Sequence, residues 1–388
     1  MAATVSAPAA PESPRAEPGP PPAAREEGAS GRLVSLDAFR GLTILGMLLV
    51  NNVTLGAATP RPLTHADWSG RVHLADLVFP WFLFIVGVAI PWARASHRRK
   101  GLGAGRRALK ASGRALGLVL LGCLVTSAVA RQPVLGLGVL QVIGLAYLVA
   151  ALAAGLPAPA RAVLAGLLLA GHWALLRFVP FPGGPAGSFT ESQNVIAYLN
   201  RAYLAPWHLA GLVSVVPTAA LALLGTVCGD ALRERRYAPG RKIGGLITGG
   251  LLAVALGALW SRDLPMNKPL WTAPYILFTG GWAAAALGAL YAVFDARGWR
   301  RWALPLVVPG MNAIVAYVAP ILVKTMVLQH WTWPMPDGAR PTLEQALQQA
   351  CFAQAGRYAG GWLYTLGYLL FWWLVLLYLY RKRIFLRV

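Results

Sequence analysis

The stretch DLVFPWFLFIVGVAIPWARA, residues 76–95, decides the fold class of this chain. It is apolar over the roughly 20 residues that a helix needs to cross the hydrocarbon core of a bilayer. Similar blocks recur along a sequence that is 57% hydrophobic and 13% charged, whereas soluble domains carry about 25% charged residues. We therefore expect an all-α fold: a polytopic integral membrane helical bundle.

The apolar blocks that flank this stretch predict about ten transmembrane helices. Residues 1–31 are rich in Pro, Ala, Gly and Glu without a hydrophobic period, and we interpret them as a disordered tail that precedes a single membrane domain, residues 32–388. The predicted spans lie near residues 39–57, 76–95, 114–131, 136–156, 161–179, 209–232, 243–260, 272–294, 303–323 and 359–380.

The basic residues predict the orientation of these spans. Cytoplasmic loops of membrane proteins carry the excess of Lys and Arg. Placing the basic loop 94–114 inside puts 25 of the 35 lysines and arginines inside, with both termini cytoplasmic. The net charge of +21 then reflects membrane topology, so we predict the lipid bilayer and no nucleic acid as a partner. The predicted exterior loops are 58–75, 180–208, 261–271 and 324–358.

The segment between the first two spans concentrates the polar chemistry. His65 lies between the polar residues Thr64 and Asp67, and an imidazole titrates near neutral pH, which suits a general base. Asp67 or Asp76 would orient it, and the amide of Asn51 would face a developing oxyanion. The alternatives are that His65 is a solvated interfacial residue, that Asp76 caps the second span, and that Asn51 ends the first.

The sequence offers no metal site. His65 and His73 are eight residues apart without a third ligand at metal-binding spacing. Cys123, Cys228 and Cys351 are scattered, and we interpret them as small buried hydrophobic residues. We therefore predict that no metal takes part.

Other polar residues in the spans have two possible interpretations each. Asp37 and Arg40 are three apart on one helix face and form either a salt bridge at the inner interface or part of a ligand site. Lys268 and Trp271 are interfacial anchors or substrate contacts. A lone amide such as Asn312 in the ninth span, or Gln141 in the fourth, satisfies neighbouring backbone or contacts a ligand.

Several motifs in order make the chain resemble the heparan-alpha-glucosaminide N-acetyltransferase family, whose bacterial members are often described only as a domain of unknown function. A more distant similarity is to the acyltransferase-3 group. The resemblance covers about residues 30–388. Its motifs are RLVSLDAFRGL (32–42), HADWSG (65–70), ADLVFPWF (75–82), LGVLQ (137–141), NKPLWT (267–272), GMNAI (310–314) and RKRIF (381–385).

The resemblance implies a membrane enzyme that takes acetyl-CoA as co-substrate from the cytoplasm and acetylates an amino sugar on the far side, and it suggests a homodimer. His65 would act as general base or, alternatively, carry the acetyl group itself. We expect the bacterial inner membrane, with His65 facing the exterior. The assignments are catalytic His65, Asn51 and Asp76; cofactor-binding Asp37, Arg40, Gln141 and Asn312; and substrate-binding Trp68, Asn267, Lys268 and Trp271.

The chain departs from the family pattern at a few positions. Eleven residues separate His65 from Asp76 where the family usually has ten. Val142, Asn200 and Ala210 replace an arginine, an aspartate and a glutamate. Two of these changes lie on the predicted acceptor side, so we expect the acceptor to be an amine or hydroxyl of a glycan other than heparan sulfate.

The main alternative function is a transporter of an acetyl donor, a glycan precursor or a small amine. Internal repeats with helices broken near the midplane mark many transporters. The sequence shows no repeat, but the pairs at 280–281 (Gly-Gly) and 309–310 (Pro-Gly) are candidate breaks in the eighth and ninth spans.

Overall fold

The computed structural model describes residues 33–68, 71–334 and 338–386 of this chain. The predicted tail, residues 1–31, lies outside the described residues. Within the described ranges the chain forms helices and their connections, and its only β-type pairings are two isolated bridges, between Phe181 and Gly184 and between Thr332 and Thr342. The all-α prediction is confirmed.

Twelve α-helices are present in the described ranges, joined by short 3₁₀ and π turns. In chain order they are α1 (Val34–Asn52), α2 (Leu74–Arg99), α3 (Ala104–Ala130), α4 (Val139–Ala153), α5 (Ala158–Phe178), α6 (Val195–Leu199), α7 (Val215–Arg233), α8 (Pro239–Trp260), α9 (Ala273–Tyr291), α10 (Leu304–Met311), α11 (Ala313–Val323) and α12 (Leu343–Arg381).

Each predicted span has a helical counterpart. In the described part of the chain, eight helices are long and apolar enough to cross a membrane, and a ninth span results if the bent pair Arg300–Met311 and Ala313–Leu328 crosses as one unit. The fourth predicted span is α4, a shorter apolar helix of 15 residues. These helices identify an integral membrane protein.

Two of the helices are interrupted. The bent pair turns by 60° at Asn312, just after the Pro-Gly pair at 309–310. In α12 a non-helical residue, Gly356 (φ 74°), separates an outer segment from the last span. The expected break at 280–281 is absent, because α9 continues through both glycines. There Gly281 instead lets α9 approach the backbone of α8 at Gly250.

The loops segregate to the two ends of the bundle. The predicted exterior loops contact one another: the Trp68 indole donates to the Phe189 carbonyl at 2.7 Å, and the Asn267 amide donates to the Trp68 carbonyl at 2.8 Å. At the opposite end the Asp295 carboxylate accepts the N–H groups of Val34 and Ser35, at the start of α1, at 3.0 and 2.9 Å. We call these the loop end and the basic end.

Glycine permits the closest helix contact in the bundle, between α1 and α10. A Cβ on Gly41 would overlap the Leu306 carbonyl oxygen, and a Cβ on Gly310 would overlap the Asp37 carbonyl oxygen. Because backbone meets backbone on both sides, no side-chain rotation relieves a substitution. Small residues at such crossings let membrane helices associate by van der Waals contact.

We expect Gly41→Ala to destabilise the protein by roughly 1–3 kcal/mol, as overpacking does in well-packed interiors. The matched control is Gly113→Ala in α3, where an added Cβ meets nothing within 4 Å and helix propensity favours alanine by about 1 kcal/mol. Thermal unfolding of the detergent-solubilised variants measures both. Equal melting temperatures for the two variants would contradict the close contact.

Candidate active site

The carboxylate of Asp76, in the first turn of α2, organises the loop end. Only 2% of the Asp76 side chain is exposed. Its Oδ2 atom accepts the backbone N–H groups of Ala66 and His73, both at 3.1 Å, and its Oδ1 atom lies 2.8 Å from Nδ1 of His65. A buried carboxylate needs such partners to offset the loss of water. The described residues before α2, 64–68 and 71–73, are therefore held by this one group.

The start of α2 reinforces this fold. His73 is the N-cap residue, in extended backbone conformation, and forms a capping box with Asp76. Its Nδ1 atom also lies 3.0 Å from the Thr64 carbonyl oxygen. These contacts hold Thr64 and Ala66, on either side of His65, against the start of α2. The eleven-residue spacing therefore still allows the contact between His65 and Asp76.

Lys268, from the loop before α9, completes a three-residue cluster. Its Nζ atom lies 3.2 Å from Oδ1 of Asp76 and 3.0 Å from Nδ1 of His65. A neutral imidazole nitrogen either donates or accepts. The carboxylate can only accept and the ammonium group can only donate, so Nδ1 can hydrogen-bond to one of the two but not to both. We assign the proton to Nδ1, which donates to the nearer group, Asp76 at 2.8 Å, and Lys268 then donates to Oδ1 of Asp76 and not to His65. Nε2 is then the basic nitrogen of His65.

The His65 imidazole is exposed, whereas the carboxylate that it contacts is buried. The His65 side chain is 54% exposed, whereas Asp76 is almost fully covered. In the described part of the chain Nε2 has no hydrogen-bond partner, so it is available to a substrate. This is the arrangement of a general base that a carboxylate orients from behind.

Burial of Lys268 lowers the pKa of its ammonium group below the ordinary lysine value, while attraction and hydrogen bonding to Asp76 act in the opposite direction. The carboxylate therefore favours the charged form of Lys268. Loss of Asp76 would leave a partly buried lysine without that stabilisation.

Three of the four predicted substrate-binding residues have contacts that hold the loops together. Asn267 is 4% exposed and bridges two segments: its Nδ2 atom donates to the Trp68 carbonyl, and its Oδ1 atom accepts the Leu270 N–H at 2.8 Å. The Trp68 indole is held by the Phe189 carbonyl. These groups position Lys268, which alone of the four reaches His65.

Trp271 occupies a strained turn beneath Lys268. Its φ of 51° is uncommon for a bulky residue, and its ring packs edge-on against Phe79 and Tyr275, with centroids 5.2 and 5.8 Å away. Tyr275, which the sequence analysis missed, donates its hydroxyl proton to the backbone carbonyl oxygen of Asp76 at 2.5 Å. No local sequence pattern identifies a tyrosine that acts across two helices.

Asn51 lies at the loop end but at a different site from His65. It lines a cavity of about 320 Å³ between the ends of α1, α3 and α11, together with Asn52, Tyr317, Lys324 and Tyr368. Within the described residues Asn51 makes no hydrogen bond to His65, so the structure does not join the two predicted catalytic residues directly.

A second ion pair borders this cavity and was also missed. Lys324 Nζ lies 3.4 Å from Oε1 of Glu344, 3.1 Å from Oδ1 of Asn52 and 3.3 Å from the Asn51 carbonyl oxygen. Gln329 donates to the other Glu344 oxygen at 2.8 Å. The signal was available: both charged residues lie in the long predicted exterior segment 324–358, between apolar blocks.

The remaining predicted residues lie away from His65. Arg40 pairs with Asp37 at 3.4 Å on α1, near the basic end. The Gln141 amide donates to the Gly136 carbonyl at 3.0 Å, which joins α4 to the loop before it. Asn312 donates to the Ile384 carbonyl at 2.9 Å and accepts the N–H of residue 386 at 3.2 Å. Both amides therefore make structural hydrogen bonds to the backbone.

The described ranges contain no group of three or more His, Cys, Asp or Glu side chains placed to hold a metal ion. The charged neighbours of His65 are a carboxylate and an ammonium group, which suits proton transfer.

Comparison with known proteins agrees with the motifs. The family model described as heparan-alpha-glucosaminide N-acetyltransferase, catalytic, matches residues 32–253. The human protein named heparan-alpha-glucosaminide N-acetyltransferase is 27% identical over 425 residues, an alignment that covers 92% of this chain and 60% of the human one. Its mouse counterpart is 25% identical over 354 residues, with 74% and 53% covered. The chain thus spans little more than half the length of these curated relatives.

We expect Asp76→Asn to loosen the loop, because an amide replaces the charged acceptor of the Ala66 and His73 N–H groups. Hydrogen bonds to charged groups contribute roughly 1.5–3 kcal/mol, so exchange of these two amides should accelerate about tenfold or more. Hydrogen–deuterium exchange measured by mass spectrometry tests this, with exposed Asp67→Asn as the matched control. Unchanged protection in Asp76→Asn would show that the carboxylate does not hold the loop.

Proposed function

The chain belongs to the heparan-alpha-glucosaminide N-acetyltransferase family, and from this membership we propose that it transfers an acetyl group from acetyl-CoA to an amine of an amino sugar. The observation that carries the proposal is the exposed Nε2 of His65 above the buried Asp76. A hydroxyl acceptor would use the same base. The substitutions at Asn200 and Ala210 favour an acceptor other than heparan sulfate.

His65 acts as the general base in this proposal. Nε2 takes a proton from the acceptor amine, and the nitrogen of that amine attacks the thioester carbonyl carbon. The carbon–sulfur bond then breaks, and the imidazolium returns the proton to the departing CoA thiolate. Asp76 stabilises the imidazolium through Nδ1, as the carboxylate of a catalytic triad does. Lys268 keeps the carboxylate partnered throughout the cycle.

Asn51 is proposed to stabilise the oxyanion. An amide N–H directed at the thioester oxygen supplies the preorganised dipole that this chemistry needs. Since Asn51 lines the cavity of about 320 Å³ and does not contact His65, the substrate itself would extend from the cavity to the imidazole.

Three cavities support a donor route from the basic end. The first, a cleft of about 160 Å³, contains Arg94, His97, Arg107 and Tyr147 and would attract the CoA phosphates. Arg114 lies over the Tyr147 ring at 5.0 Å.

Arg114 also lines the second cavity, which is apolar and measures about 50 Å³. That cavity shares Ile44, Met47 and Tyr317 with the larger one at Asn51. The CoA phosphates, the pantetheine arm and the thioester would meet these three environments in order.

We further propose that the basic end is cytoplasmic and that His65 faces the exterior of a bacterial inner membrane. The support is the excess of Lys and Arg in the loops of the basic end. This orientation places the donor where acetyl-CoA is made and the base where a surface glycan lies.

The transporter alternative depends on the bent pair at Asn312. Broken helices in transporters expose free backbone groups to a substrate path. Here the Asn312 side chain binds the backbone of residues 384 and 386. The break is therefore part of the packing against the segment that follows α12, which favours the enzyme over the transporter.

His65→Ala should lower kcat/KM for acetyl transfer from acetyl-CoA to glucosamine by about 10²–10⁴-fold, the usual contribution of a general base. His330→Ala, at another exposed loop-end histidine, is the matched control and should retain most activity. Turnover of radiolabelled acetyl-CoA by purified protein measures both variants. Wild-type turnover by His65→Ala would refute the central role of this residue.

The orientation is tested by cysteine labelling of spheroplasts. In a background with the three native cysteines replaced by alanine, Asp67→Cys should react with a membrane-impermeant maleimide in intact spheroplasts. Arg99→Cys at the basic end should react only after lysis. The reverse pattern would invert the topology and separate His65 from an exterior acceptor.

A further inference from the structure

We propose that a small cavity at the basic end binds a phosphate group. The cavity measures about 80 Å³ and lies where α2, α5 and α7 meet. Four arginines line it: Arg94 and Arg98 on α2, Arg161 on α5 and Arg233 on α7. Asp230 is the carboxylate among the lining residues.

The positively charged residues that line this cavity outnumber the negatively charged one, which favours a bound anion. The Asp230 carboxylate contacts Arg161 and lies 3.6 Å from Arg233, so two arginines share its single negative charge. Arg94 donates to the Ala154 carbonyl, a neutral acceptor. Like charges held this closely repel one another, and the repulsion is strongest where water is excluded. A bound phosphate would relieve it.

The buried side chain of Arg161 gives a second reason to expect a bound phosphate. The Arg161 side chain is only 2% exposed, yet its Nε atom has no hydrogen-bond partner among the described residues. A buried donor without a partner is costly. The pairing with Asp230 occupies Nη2 and leaves Nε unused. Guanidinium groups bind phosphate through two parallel N–H donors, and Arg161 retains a donor that its pairing with Asp230 does not use.

The cavity size limits the ligand to a phosphate group rather than a whole nucleotide, because small-molecule sites usually measure about 300–1,000 Å³. Two sources supply that group. Basic pockets between membrane helices bind the headgroups of anionic lipids. The cleft of Arg94, His97 and Arg107 shares Arg94 with this cavity, so the 3′-phosphate of CoA is the other source. The second source rests on the proposed function, whereas the first does not.

The test compares two charge-matched double variants of the full chain. Arg98→Gln with Arg233→Gln removes two exposed arginines of the cavity and leaves the pair of buried Arg161 and partly exposed Asp230 intact. Arg99→Gln with Arg235→Gln removes the same charge at neighbouring exposed positions that do not line the cavity.

Binding to the detergent-solubilised protein is measured by native mass spectrometry and by the thermal shift. The probes are phosphatidylglycerol, adenosine 3′,5′-bisphosphate and, as a neutral lipid control, phosphatidylcholine. The cavity variant should bind the preferred phosphate probe at least about tenfold more weakly than wild type, because the loss of even one of the two charge-assisted contacts has that effect. The control variant should bind as wild type does.

Preference for phosphatidylglycerol identifies a lipid site, and preference for the bisphosphate identifies the donor phosphate. Equal weakening in both double variants, or no stronger response to either probe than to phosphatidylcholine, would overturn the proposal. If the double cavity variant does not fold, Arg98→Gln alone is compared with Arg99→Gln by the same criteria. Because no turnover is measured, the result is independent of the His65→Ala experiment.

Discussion

The loop end depends on the buried carboxylate of Asp76. Its two oxygen atoms hold the Ala66 and His73 N–H groups, the His65 imidazole and the Lys268 ammonium group. A charge that has lost its water must be partnered in this way. The same requirement therefore folds the segment before α2, docks the loop before α9 and orients the histidine.

The rest of the bundle supports this arrangement by bringing backbones close. Where α1 meets α10, glycines stand where any side chain would overlap a carbonyl group, and Gly281 allows the same approach between α8 and α9. Membrane helices gain little from hydrophobic burial against lipid, so close packing and polar contacts must hold them together. The closely packed helices consequently hold the ends of the loops in place, and with them the segment that contains His65.

The charges at the two ends have different surroundings. At the loop end His65, Lys268 and Asp76 form a compact cluster with nearly balanced charge, suited to moving a proton. At the basic end the four arginines that line the small cavity outnumber the carboxylate, which suits the recognition of phosphates. In the proposed reaction the donor phosphates and the transferred acetyl group would use these two environments separately.

The sequence by itself determined the fold class, the approximate limits of the long apolar helices and the family, because length, hydropathy and linked motifs are properties of the chain. It predicted about ten spans, whereas eight helices of the described residues, or nine with the bent pair, are long and apolar enough to cross a membrane. It also identified His65 and Asp76 through the unusual concentration of polar residues between two spans. Only the tertiary structure decided which partners meet. It placed Lys268 beside His65 and Asn51 in a different cavity, and it assigned Gln141 and Asn312 to backbone contacts. It also revealed Lys324 with Glu344, since contacts between distant segments depend on how helices cross, which no local pattern encodes.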